Sequence, residues 1–147
     1  MHDWDDDLAV PFPLEFTIQA TPRSLQASKS ARETWKSMVG EAARNRIAAS
    51  REFTFLDERP LSVTIFYFPP APMQGDVDNI VKPILDGMRS IVYRDDQVIE
   101  RVVVQKFEPG VYVEFNSLTD MLQHAAAMDP PMVYVRVSSD TSWRRVP

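Results

Sequence analysis

Gly75–Lys106, GDVDNIVKPILDGMRSIVYRDDQVIERVVVQK, decides the architecture of this chain. Ile80, Ile84, Leu85, Met88, Ile91 and Val92 recur at helical spacing and predict a helix over residues 79–92, with Asp78 as N-cap. Pro83 removes a backbone hydrogen bond, so either the first turn is irregular or the regular helix begins later. A short turn at Asp95-Asp96 leads into a strand over residues 98–108, which Pro109-Gly110 folds into a hairpin with residues 111–115. Asp76, Asp78, Asp86, Asp95 and Asp96 surround Lys82 within this apolar segment. Two carboxylates about 4 Å apart repel by roughly 4 kcal/mol at an effective dielectric near 20. A divalent cation removes that cost, so the stretch reads as a metal site.

Outward from it, Leu61–Phe68 (LSVTIFYF) is β-branched and aromatic, a buried strand stopped by Pro69-Pro70. Ala31–Ala49 carries a helical stripe of Trp35, Met38, Val39, Ala42 and Ile47, with Arg32, Lys36 and Arg44 on another face. Leu14–Gln19 is the first strand and Ala20–Ser30 a polar loop. Residues 117–128 form a short helix halted by Asp129-Pro130-Pro131, Met132–Val137 a last strand, and residues 138–147 a tail. The expected fold is α/β (α+β): a single domain with a small mixed β-sheet packed by two main helices, in the order β-α-β-α-β-β-α-β. Residues 1–12 are a loosely held acidic arm, 13–116 the main body, and 117–147 a C-terminal extension packed on the same domain.

Composition narrows the chemistry. The 147 residues include no cysteine, which excludes thiolate metal sites, disulfides and cysteine nucleophiles. His2 and His124 are the only imidazoles and lie far apart, so a metal is held by oxygen, favouring Mg²⁺ or Mn²⁺ over zinc. No apolar run reaches a membrane span and the acidic N-terminus is unlike a signal peptide, so the expected location is the cytoplasm. The net charge of −5 is unevenly spread. Residues 21–51 hold Arg23, Lys29, Arg32, Lys36, Arg44, Arg46 and Arg51 against Glu33 and Glu41, a net of +5 that reads either as a phosphate-contacting surface or as a solvated helix face.

Asp76 and Asp78, two apart in an extended entry to the helix, project to the same side. Alone, that pattern equally describes a helix cap beside a solvated acid. Asp78, Lys82 and Asp86 are spaced four apart and stack on one helical face, where plain salt bridges contribute a few tenths of a kcal/mol each. Asp95-Asp96 is either turn chemistry or a return of the chain toward the first acids.

Asp76-x-Asp78-Asn79-x-x-Lys82, then Asp86-Gly87, then Asp95-Asp96-Gln97-Val98, resembles the signature of the RusA-type Holliday-junction resolvases, and the likeness extends loosely over residues 14–116. The resemblance implies a homodimeric, Mg²⁺-dependent endodeoxyribonuclease that resolves four-way DNA junctions by paired symmetric nicks in recombination and repair. It implies Asp76, Asp78 and one of Asp95/Asp96, with Asp96 favoured, as metal ligands, and Lys82 as the catalytic lysine. Asn79, Asp86 and Asp95 are supporting or alternative site residues, Asp86 orienting Lys82 or standing behind the ligands. Arg23, Lys29, Arg32, Lys36, Arg44 and Arg46 would meet the DNA backbone.

Competing readings are a non-catalytic branched-DNA-binding protein, a metal-dependent hydrolase of small phosphoesters, and an interaction module working through Asp3–Asp7. Acids facing DNA phosphates without a metal count against the first. The basic stretch counts against the second.

Overall fold

Alternate residues of Leu14–Ile18 (β1) and of Leu61–Phe68 (β2) are buried, the period-two signature of strands with one face on a core. In the computed structural model, which describes residues 13–49, 59–116 and 118–140, these strands belong to one four-stranded sheet. The remaining elements are helix α1 (Lys29–Ala49), a 3-10 turn (Val77–Ile80), α2 (Val81–Met88), a second 3-10 turn (Asp96–Val98), β3 (Ile99–Lys106), α3 (Asp120–Ala127) and β4 (Met132–Ser138). The sheet order is β1-β4-β2-β3. β4 runs antiparallel to both β1 and β2, and β3 runs parallel to β2. The fold is thus the expected mixed sheet in a single α/β domain. The acidic arm and residues 141–147 of the tail lie outside the described residues.

One face of the sheet is apolar throughout. Leu14, Phe16 and Ile18, then Val133, Val135 and Val137, then Leu61, Val63 and Ile65, pack with Trp35, Val39, Ala43 and Ile47 of α1 and Ile84 and Met88 of α2. Each fully buried aliphatic side chain contributes about 1.5–3 kcal/mol, so this layer dominates stability. The opposite face carries a smaller cluster: Leu122 and Ala125 of α3 rest on Met132 and Tyr134, with Phe66, Phe68 and Phe115 beside them. β4 is buried on both faces because MVYVRVS is apolar at nearly every position.

Four local expectations are corrected. Met38 is 39% exposed rather than inward, and Gly40 and Ala43 join the buried stripe instead. The second helix ends at Met88, not Val92: Arg89 is extended and Ser90 has φ 68°, with its N–H donating to the Tyr93 carbonyl at 2.7 Å. Its start is also irregular, a 3-10 turn that leaves Pro83 in the first turn of α2, where no intrahelical partner is lost. Asp78 lies inside that 3-10 turn and caps nothing; the residue before the turn is Asp76. Finally, residues 111–115 add no strand to β3. Phe107 and Phe115 instead turn onto Phe66, with ring centroids 5.2 and 5.7 Å away, drawing the chain over the α3 side of the sheet.

Candidate active site

The unit β2–α2–β3 is a parallel crossover, which returns the chain to the same sheet edge and sets the two acidic motifs on neighbouring segments. α2 is seated by glycines. A Cβ on Gly87 would stand 2.7 Å from the Val39 Cβ and 2.9 Å from the Lys36 carbonyl oxygen. One on Gly40 would stand 3.0 Å from the Gly87 oxygen. The two helix backbones therefore touch where those residues meet, and this brings Lys36 of α1 to 3.8 Å from Asp86 of α2.

Lys82 is the hub. Its ammonium donates to Asp86 Oδ1 at 2.9 Å, one helical turn away, and to Asp96 Oδ2 at 2.5 Å, fourteen residues along the chain. Asp96 first and Asp86 second hold the lysine above its ordinary pKa, against a smaller opposing effect of burial. In return, Lys82 first and a hydrogen bond with Asp95 second hold Asp96 below the usual aspartate value. Both carboxylates favour the charged form of Lys82. Asp95 itself faces Arg89 at 3.9 Å. Beneath the pair, buried Tyr93 donates its hydroxyl to the Leu85 carbonyl at 2.7 Å, tying the returning chain to α2. Burial, helped by the charges of Asp96 and Asp86, raises that phenol's pKa.

Asp76 and Asp78 stand exposed on the 3-10 turn that feeds α2. Asn79 holds this turn to the polar loop, its carbonyl accepting from the Leu25 N–H at 3.1 Å. Between loop 21–27 and the proline-rich segment 69–76 lies a hollow of about 520 Å³, bordered by Arg23, Ser24, Gln26, Tyr67, Asp76 and Asn79. The oxygen-only donors of Asp76, Asp78 and Asp96 suit a hard cation chemically. Their arrangement does not yet gather them: among the described residues no three of His, Asp and Glu lie close enough to hold an ion. Asp96 is instead engaged by Lys82.

The expected phosphate-contacting residues divide. Arg23, Lys29 and Arg44 are exposed, Arg23 at the rim of the hollow. Arg32 and Lys36 are half-buried, and Lys36 meets Asp86 and Glu33. Arg46 donates its Nε to the Glu15 carbonyl at 3.2 Å, fastening α1 to β1. Sequence reasoning missed the Gly40–Gly87 contact, Tyr93, and the link between Lys36 and Asp86. A glycine within each helix was the available signal for the first. Nothing local marks the other two.

A family model described as Endodeoxyribonuclease RusA matches residues 15–116. All the acids of the site, with Lys82, fall inside that span. A comparison with curated proteins finds no match.

Proposed function

This chain belongs to the RusA endodeoxyribonuclease family, and on that premise we propose that it is a homodimeric, Mg²⁺-dependent nuclease that nicks four-way DNA junctions symmetrically, acting in the cytoplasm in recombination and repair. The observation that carries this reading is Lys82, whose ammonium joins the Asp76-x-Asp78-Asn79-x-x-Lys82 motif to the Asp95-Asp96 motif through its bond to Asp96. The bond sets one lysine cation beside two carboxylates, Asp86 and Asp96, and charges of both signs are what a phosphodiesterase uses. No helix among the described residues is long and apolar enough to cross a membrane.

Asp76, Asp78 and Asp96 are the residues proposed to hold Mg²⁺, which when bound supplies a water of lowered pKa and a polarised phosphoryl oxygen. Lys82, kept protonated by two carboxylates, offers its charge to the phosphate as negative charge develops on it. Asp86 sets the direction of the ammonium, and Lys36 sets Asp86. Arg23, Lys29 and Arg44 hold flanking backbone phosphates and so position the junction without reading its sequence.

The test is a nicking assay on labelled four-way, forked and linear duplexes with and without Mg²⁺. Paired nicks across the four-way junction are expected, lost in Asp76→Asn and Asp78→Asn. Cleavage untouched by either substitution removes the ligand assignment. Turnover of small phosphodiesters in place of DNA favours the hydrolase reading, for which the hollow beside Asp76 would be the binding site.

A further inference from the structure

The hollow of about 520 Å³ between loop 21–27 and segment 69–76 has a nearly neutral lining. Among its described residues Arg23 is the one cation and Asp76 the one anion. Pro69, Pro70 and Pro72 make one wall, apolar and stiff because each ring fixes φ and carries no N–H. Buried Tyr67 adds an aromatic ring. Gln26, Gln74 and Asn79 bring three side-chain amides, each able to donate and to accept. Gln26 and Gln74 are exposed, and among the described residues no hydrogen bond engages their amides. Both walls are fastened to the scaffold. The Leu25 N–H donates to the Asn79 carbonyl at 3.1 Å, and the Met73 N–H donates to Glu108 Oε2 at 2.7 Å. The hollow is therefore preformed, and a ligand entering it does not have to order the chain.

We propose that this hollow receives one unstacked nucleobase of the DNA, next to the phosphate that Asp76 serves. A nucleobase is a flat, uncharged ring with donors and acceptors along its edge and a phosphate close by. Prolines and a tyrosine suit its faces, and the three amides suit its edge. Arg23 suits the phosphate of the same nucleotide. A phosphate by itself would call for several cations here, and a purely apolar ligand would leave the amides unpaired. Unstacking a base costs least where pairing is already interrupted, as at a branch point. The inference deepens the proposed function and rests on it for the DNA and for the role of Asp76. What it adds is a base site, where the basic residues meet only backbone.

The test uses four-way junctions without Mg²⁺, so that strands stay whole, each carrying a single 2-aminopurine near the crossover, a base that brightens when unstacked. With the parent protein, fluorescence is expected to rise severalfold at one position. Ala71→Trp, which puts an indole into the hollow from an exposed position, should abolish that rise. Gln26→Ala with Gln74→Ala should weaken binding of the intact junction about tenfold, the worth of two hydrogen bonds. On a junction lacking the base at that position, the same pair should change binding by less than about twofold. A rise that survives Ala71→Trp, or equal losses on intact and abasic junctions, overturns the base site. Deoxynucleoside monophosphates should not displace the junction at micromolar concentration; displacement would make free nucleotides the ligand and overturn the proposal. A parent that cuts the junction in Mg²⁺ yet brightens no position loses the base site and keeps the nuclease reading. A parent that neither binds nor cuts it loses both.

Discussion

Lys82 and Asp96 each alter the other's charge state, and the signs make stability depend on pH at both ends of the range. Lys82 is raised in the folded protein, so its contribution is complete below the unfolded lysine value and disappears as pH rises through the folded one. Asp96 is lowered, so its contribution is present above the unfolded aspartate value and is lost as pH falls through the folded one. The pair therefore supports the fold across the neutral range. In Lys82→Met the Asp96 carboxyl should titrate at higher pH than in the parent, followed by NMR without metal; an unmoved midpoint would mean that Lys82 does not hold Asp96. Lys82→Ala should lower turnover by about a hundredfold or more, with junction binding kept. Normal turnover would reduce the lysine to an ordinary helical salt bridge. The four-residue spacing foretold the Asp86 contact. The stronger bond, to Asp96, rests on the return of the chain, which spacing cannot express.

Helix α2 shows how far periodicity reaches. Its apolar stripe was legible, but Ile91 and Val92 continue that stripe beyond the helix itself. Val92 is fully buried even though the chain has already reversed at Ser90, because a tight turn can keep an apolar residue inside as well as a helix can. The placement of α2 depends on glycine. Gly87→Ala must push backbone against backbone, so it should destabilise by about 1–3 kcal/mol in urea unfolding and also weaken cleavage by shifting Asp86 and Lys82. Full stability in that variant would mean that the helices can separate freely. At α3, Thr119 accepts from the Leu122 N–H at 3.1 Å and donates to Glu15 at 2.5 Å, while Tyr134 donates to the same carboxylate. The predicted hairpin failed for a nonlocal reason: Pro109-Gly110 does turn, with Gly110 at φ 83°, but aromatic packing sends the returning residues elsewhere.

For the whole molecule, the family match ends at residue 116 while the sheet does not. β4, from residue 132 onward, lies between β1 and β2, and its Val133, Val135 and Val137 are fully buried. A chain ending at residue 116 should therefore lack a cooperative urea transition; a truncated protein that still unfolds cooperatively would show that β1 can pair without β4. The basic surface is also a property of the whole. Arg23→Ala with Lys29→Ala should weaken junction binding and flatten its salt dependence, by a slope of about 1 per lost phosphate contact. Arg46→Ala, which frees the Glu15 carbonyl, should cost stability and leave that slope alone. A slope that falls with Arg46 rather than Arg23 and Lys29 would move the DNA surface toward β1.

Residue type and spacing within a few turns of chain were enough for four strands, for the helices apart from where the second one ends, for the aspartate-rich motifs, and for the oxygen-only character of any metal site. Tertiary structure alone decided that the last strand fills the middle of the sheet, that Lys82 grips Asp96, that Arg46 serves the scaffold, and that residues 111–115 leave the sheet. Each of those joins residues distant along the chain, and their meeting is set by competition for buried surface, which no local pattern encodes.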